Sequence, residues 1–200
     1  NNVVLTALMS FFIVVNAAWN AHKRNPHPIK TYWNSLLAIF ISTYVTMGVL
    51  VLSGAIKFIP AQVIPISGMI ASNSMVAIGL CYRHLFSKFQ DQRQQVLEKL
   101  ALGAPIKLAS LPILRESIKT AMQPTIDSAK TVGLVSLPGM MSGLIFAGVD
   151  PVHAIKYQIM VTFMLLSTTS LGSIIAGYLA YKHYFNSHLQ LIDTTKKEEV

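Results

Sequence analysis

Cysteine is almost absent from this chain. Of 200 residues only Cys81 carries a thiol, which excludes an intrachain disulfide and a thiolate cluster for zinc or an iron–sulfur centre. Charge is scarce as well: 12% of residues are charged, and Asp plus Glu number 8 against 16 Lys plus Arg. The apolar runs contain no carboxylate and no histidine, which argues against an ATPase-independent metal channel or ion-coupled transporter, since these use intramembrane acids or imidazoles. Glycine-rich phosphate loops are missing too. Gly143 to Gly148 has the spacing of G-x-x-x-x-G-K-[ST] but continues Val149-Asp150, so this chain is not expected to hydrolyse ATP.

What the chain has in excess is apolar surface: 52% of residues are hydrophobic and the mean hydropathy is +0.51. That combination indicates an all-α integral membrane protein and leaves no separate globular core. The formal charge of +8 would suggest nucleic acid in a soluble protein; here Lys and Arg lie in loops between apolar runs, where they set topology, and no nucleic acid is expected. Asn1-Asn2-Val3 lead directly into an apolar run with no charged region before it, so the opening reads as neither a signal peptide nor a natural start.

Five spans are expected. Val3 to Asn20 is the first, and Asn16 and Asn20 share one of its faces. Trp19, with Tyr32 and Trp33 beyond the loop His22 to Lys30, forms an aromatic belt. Ser35 to Leu52 is the second and Ala61 to Tyr82 the third; its interior Pro65-Ile66-Ser67-Gly68 predicts a break. Arg83 to Lys130 is polar and reads as a helix, a turn at Gly103-Ala104-Pro105, and a second helix from Ile106 to Met122 stopped by Pro124, all outside the membrane. Thr131 to Gly148 is the fourth span, interrupted at Pro138-Gly139, and Ile155 to Tyr181 the fifth. A Pro-Gly step at bilayer depth frees carbonyls that lipid cannot satisfy, so it must face protein or water. Three Lys/Arg lie in the first loop, eight in Arg83 to Lys130 and three in the tail, against Lys57 and Lys156 on the other side. The positive-inside rule then puts those three regions in the cytoplasm. The chain is one permease domain, 1–200, with a cytoplasmic coupling segment at 83–130 and a cytoplasmic tail at 182–200.

The polar groups of the spans are Ser67, Ser72, Asn73 and Ser74 in the third and Ser136 and Ser142 in the fourth. Interhelical hydrogen bonding, worth roughly 0.6 to 2 kcal/mol each, is one explanation, and the lining of a polar path is the other. Met69, Met75, Met140, Met141, Met160 and Met164 supply thioethers, which are ordinary apolar filling but also soft metal ligands. Met69, Met140, Met141, Met160 and Met164 are the candidate metal ligands. The six histidines fall in loops without metal-site spacing, and Asp127 and Lys130 suit an ion pair at a membrane face. Gly139 and Gly143 form a G-x-x-x-G, expected to serve packing.

Three segments carry a family resemblance: NAAWNAHKR at Asn16 to Arg24, IPAQVIPISGMIASNSMVAIGLCY at Ile59 to Tyr82, and PTIDSAKTVGLVSLPGMMSGLIFAGVDPVHAIKYQIMVTFMLLST at Pro124 to Thr168. They resemble the FetB family of ABC-transporter membrane subunits, which includes a bacterial iron-export permease and a plant relative linked to aluminium tolerance. The resemblance covers nearly the whole chain. It implies a seven-span, multi-pass permease of the cell's inner (plasma) membrane with its amino end outside, so about two spans would precede Asn1.

The same resemblance implies a permease homodimer in the lipid bilayer, working with a separate ABC ATP-binding subunit that holds ATP-Mg, with no cofactor on this chain. EKLALGA at Glu98 to Ala104 resembles the coupling loop of ABC importers, although its Glu-to-Gly spacing is one residue short and Arg115-Glu116 stand where a Leu-Pro would fall. Glu98, Leu100, Gly103, Ala104 and Arg115 are the implied docking residues. Ser72, Asn73, Met75, Met140, Met141 and Ser142 are the expected path lining, with helix breaks at Pro65, Gly68, Pro138 and Gly139. The implied function is ATP-dependent export of iron or a related metal species. An ABC permease for a small organic solute, an ATPase-independent metal channel and a membrane scaffold are the other readings.

Overall fold

The computed structural model describes residues 3–25, 31–133, 138–186 and 190–192. The uncharged runs become helices because nothing inside them competes with backbone hydrogen bonding, and breakers stand at their ends. α1 (Val3–Lys23), α2 (Tyr32–Leu52) and α3 (Pro60–Asp91) are followed by α4 (Arg93–Ala101), α5 (Ile106–Thr131), α6 (Gly139–Phe146) and α7 (Pro151–Ala180), and a 3-10 turn spans Tyr181–Tyr184. Proline opens α3 and α7 at the first helical position, and Asp150 caps α7 by accepting from the Val152 and His153 N–H groups at 3.1 and 3.3 Å. Among the described residues there is no strand beyond a single bridge, Phe185 to Leu191.

Outward faces are apolar: Leu5, Leu8, Phe12, Val49 and Phe163 are exposed, while Ser35, Ser42, Thr43, Thr46, Ser67, Ser74, Thr168 and Ser173 are buried. A fold made in water does the reverse; an apolar skin over buried hydroxyls is what hydrocarbon selects. Small residues bring the helices close. A side chain at Gly172 would sit 3.4 Å from the Ser74 Oγ and 3.6 Å from the Ser42 Oγ, and one at Gly177 would sit 3.0 Å from the Leu114 Cδ1.

The basic helix ends gather on one side. His22 meets Thr31 at 3.3 Å, Asn34 donates to His183 at 2.8 Å, Ser35 and Tyr82 share a hydroxyl contact of 3.0 Å, and Phe89 stacks on Tyr184. Lys23, Arg24, Lys88 and Lys182 therefore share an end, with Lys57 and Lys156 at the opposite one. Trp19 and Tyr32 meet edge to face at 5.8 Å on the basic side, as an interfacial belt requires.

Among the described residues four helices, α1, α2, α3 and α7, are long and apolar enough to cross a membrane; of the other expected span, Thr131 to Gly148, the described part is the end of α5 and the eight-residue α6. Three expectations are corrected. No breaker follows Tyr82, so α3 continues to Asp91 and ends at Gln92. The break at Pro65 and Gly68 is absent: proline there removes only the bond to the Ala61 carbonyl in the second turn, and a side chain at Gly68 would meet open space.

Pro124 does not stop α5 either. The helix runs through Pro112 and Pro124 to Thr131 because burial of Ala109, Ile113, Leu114, Ser117 and Ala121 outweighs the lost bonds, at about 3 kcal/mol for each proline. As a result α5 continues past the hairpin. Glu116 pairs with Lys88, Ser117 with His84, and Leu114 and Ile118 abut Gly177, so α5 runs antiparallel to α3 and α7 back into the bundle. The break at Pro138-Gly139 is present, with Pro138 as the N-cap of α6.

Candidate functional site

The helices that build the interior are α2, α3 and α7, joined by a seam of hydroxyls. Ser42 and Ser74 lie 3.2 Å apart, and Thr168 donates to Thr46 at 3.1 Å while also reaching the Met164 carbonyl. Each has a free rotor on a tightly packed face, which lets it satisfy a partner without disturbing the helix. Beside the seam lies a cavity of about 380 Å³ between α1, α2 and the start of α3, lined by Ser10, Thr43, Met47, Phe58, Val63 and Ser67 among others. The Thr43 hydroxyl is 1% exposed and its oxygen has no protein partner, and the Gln158 amide oxygen, on a residue 6% exposed, is in the same condition.

The expected path residues are not brought together. Ser72 is on the exposed side of α3, Asn73 donates to the Met69 carbonyl at 2.8 Å, and Met75 packs toward the basic-end core. Ser142 bonds back to the Pro138 and Gly139 carbonyls, and Met141 is half-buried beside it. Ser67 and Ser74 are buried, Ser136 lies outside the described residues, and side chains at Gly139 and Gly143 would meet open space, so neither glycine marks a close helix approach.

The methionines do converge. Met47 and Met164 are buried in one apolar cluster at the end opposite the basic residues, and Met69, Met140 and Met160 pack against it, so α2, α3, α6 and α7 each bring a thioether. Met47 escaped the sequence reading because nothing around it in Ser42 to Leu52 sets it apart from apolar filling. Met141 lies outside the cluster. Among the described residues no group of three or more His, Cys, Asp or Glu is placed to hold a metal, so thioethers are the available soft donors.

At the basic end, α4 and α5 form a helical hairpin. Gly103 turns it at φ +84°, a left-handed conformation that other residues adopt at a cost. Glu98 and Arg115 are exposed, Leu100 packs inward, and Ala104 is half-buried. At the tip Leu102 is 88% exposed, a large apolar side chain with nothing to cover it. It was missed because it reads as the last apolar position of an amphipathic helix. The Lys88 Nζ lies 2.9 Å from the Glu116 Oε1 and ties the hairpin to α3; that hydrogen bond, more than any other influence, holds the Glu116 carboxyl below its ordinary range. Asp127 accepts from Gln123 at 2.8 Å rather than pairing with Lys130.

The chain matches the uncharacterised protein family UPF0014 over residues 1–185. It belongs to the UPF0014 family. Within UPF0014 it is 60% identical to the probable iron export permease protein FetB of Escherichia coli (strain K12), over 98% of this chain and 75% of that protein. It is 37% identical to the UPF0014 membrane protein STAR2 of Oryza sativa subsp. japonica, over 93% of this chain and 65% of the relative. The protein ALUMINUM SENSITIVE 3 of Arabidopsis thaliana shares 35% identity over 92% of this chain and 67% of its own length. No solved structure matches the chain. A UPF0014 membrane protein with, among the described residues, four helices long and apolar enough to span and a hairpin at its basic end is therefore the frame for its function.

Proposed function

We propose that this chain is the membrane-spanning permease subunit of an ABC transporter that exports iron or a related metal species, working as a homodimer with a separate ATP-binding subunit in the inner membrane. The observation that carries the reading is the 60% identity to a probable iron export permease over 98% of the chain. The geometry supports it in two places. The hairpin offers Leu102 at an exposed tip, with Glu98 and Arg115 exposed on its two helices, the form of a helical element that enters an apolar groove on a partner. α5 then runs unbroken from the turn at Gly103 to Thr131, next to the interruption that precedes α6, so a displacement of the tip is delivered along one rigid helix to the broken crossing. ATP hydrolysis belongs to the partner, and this chain supplies the lever and the route.

Export of a small organic solute is the second reading, favoured by the apolar lining of the 380 Å³ cavity. The two separate by the ligand response of the assembled complex. Full-length permease copurified with its ATP-binding subunit should hydrolyse ATP faster when iron is added. A stable complex that ignores iron and responds to an organic solute would replace the substrate and keep the architecture, whereas failure to form a complex would remove the ABC reading.

A further inference from the structure

One face of α5 has chemistry that conflicts with its depth. Ser117 lies beside His84, just past the Tyr82-Arg83 step where the apolar run of α3 ends. From there α5 runs antiparallel to α3 for 14 further residues, roughly 21 Å at 1.5 Å per residue. Its inner side is well packed: Ala121 is buried, and Ile118 lies against Gly177. Its outer side carries Lys119, Gln123, Asp127 and Lys130, all exposed and spaced by four, four and three residues, so they form a single stripe.

Asp127 is ten residues beyond Ser117, about 15 Å, or half of a ~30 Å hydrocarbon core. A charged side chain at that depth costs roughly 2.5 to 3.5 kcal/mol against lipid, and this stripe holds three. Lys119, one turn in, can extend its amine to the near interface; Asp127 has a short side chain and no such escape. The helix that bears the stripe ends at Thr131, and Gly133 just beyond it takes a φ of +80°.

We propose that the Lys119, Gln123, Asp127 and Lys130 face of α5 lines a water-filled path through the membrane, carrying hydrated polar or charged solutes. This deepens the permease reading and rests on it. It places the path on the outer face of the lever helix, with a carboxylate and an amide near mid-membrane, rather than on Ser72 and Met75 of α3. The neighbours from other elements meet α5 beside the stripe and not on it: His84 and Lys88 of α3 reach Ser117 and Glu116, and Gly177 of α7 lies against Leu114 and Ile118.

The test is the rate of thiol modification in sealed membrane vesicles. Full-length protein with Cys81→Ala receives a single cysteine as Lys119→Cys, Gln123→Cys, Asp127→Cys or Lys130→Cys, and is exposed to a charged, water-soluble methanethiosulfonate. Phe12→Cys and Phe163→Cys, at apolar residues 68% and 67% exposed, report the rate for lipid-facing thiols. The α5 positions should react about ten-fold faster, because the reactive thiolate forms in water and not in hydrocarbon. Reaction at the lipid-facing rate would overturn the proposal and show that lipid or another protein surface covers the stripe. Should Asp127→Cys fail to fold, the uncharged Gln123→Cys decides. The measurement needs neither iron nor the ATP-binding subunit, so failure of the transport reading would not be confused with failure here.

Discussion

Thr168 is the residue through which α7 grips α2. Its hydroxyl donates to Thr46 at 3.1 Å in a buried site, and interhelical bonds of this kind contribute on average about 0.6 and at most about 1.7 kcal/mol. A double-mutant cycle with Thr46→Val and Thr168→Val, read by thermal unfolding of detergent-purified protein, should give a coupling in that range. A coupling of zero would show the bond to be incidental. At Gly177 the packing is tighter: alanine would set its Cβ 3.0 Å from the Leu114 Cδ1 and 3.4 Å from the Ile118 Cγ1. Gly177→Ala should cost about 1 to 3 kcal/mol by overpacking and lower the unfolding midpoint. The thioethers can be separated from their volume. Leucine nearly conserves the size of methionine, so Met140→Leu with Met160→Leu should preserve expression and lower metal export if the sulfurs handle the metal. Unchanged export would leave the cluster as apolar filling.

Among elements, the hairpin and the interrupted crossing carry the account. Leu102→Asp replaces the apolar tip with a charge at a site 88% exposed, so it should leave folding intact and weaken copurification of the ATP-binding subunit. Retention of the full complex would move docking elsewhere on the chain. The helices of spanning length were legible in the sequence because an uncharged run of about 20 residues has few alternatives in a bilayer. The prolines were not. Pro65 and Pro124 break isolated helices, but whether they break these depends on turn position and on burial of the opposite face, which only the packing of α3 and α5 reveals. The mistaken stop at Pro124 hid the return of α5 into the bundle. Met47 and Leu102 were invisible for the same reason: a methionine becomes part of a cluster, and a leucine becomes an exposed tip, only through neighbours remote in sequence.

Considered whole, the molecule is a bundle with its basic residues at one end, its thioethers at the other, and a single helix, α5, linking the hairpin to the interrupted crossing. On the proposed permease reading, that design would convert motion outside the bundle into rearrangement within it. The positive-inside rule predicts that the end bearing Lys23, Arg24, Lys88 and Lys182 faces the cytoplasm. The measurement that bears most directly on this account is ATP-dependent iron movement in sealed, inside-out vesicles holding full-length permease with or without its ATP-binding subunit. Iron should accumulate in the lumen only when both subunits and ATP are present. Accumulation without the ATP-binding subunit, or none with the intact complex and ATP, would contradict the account.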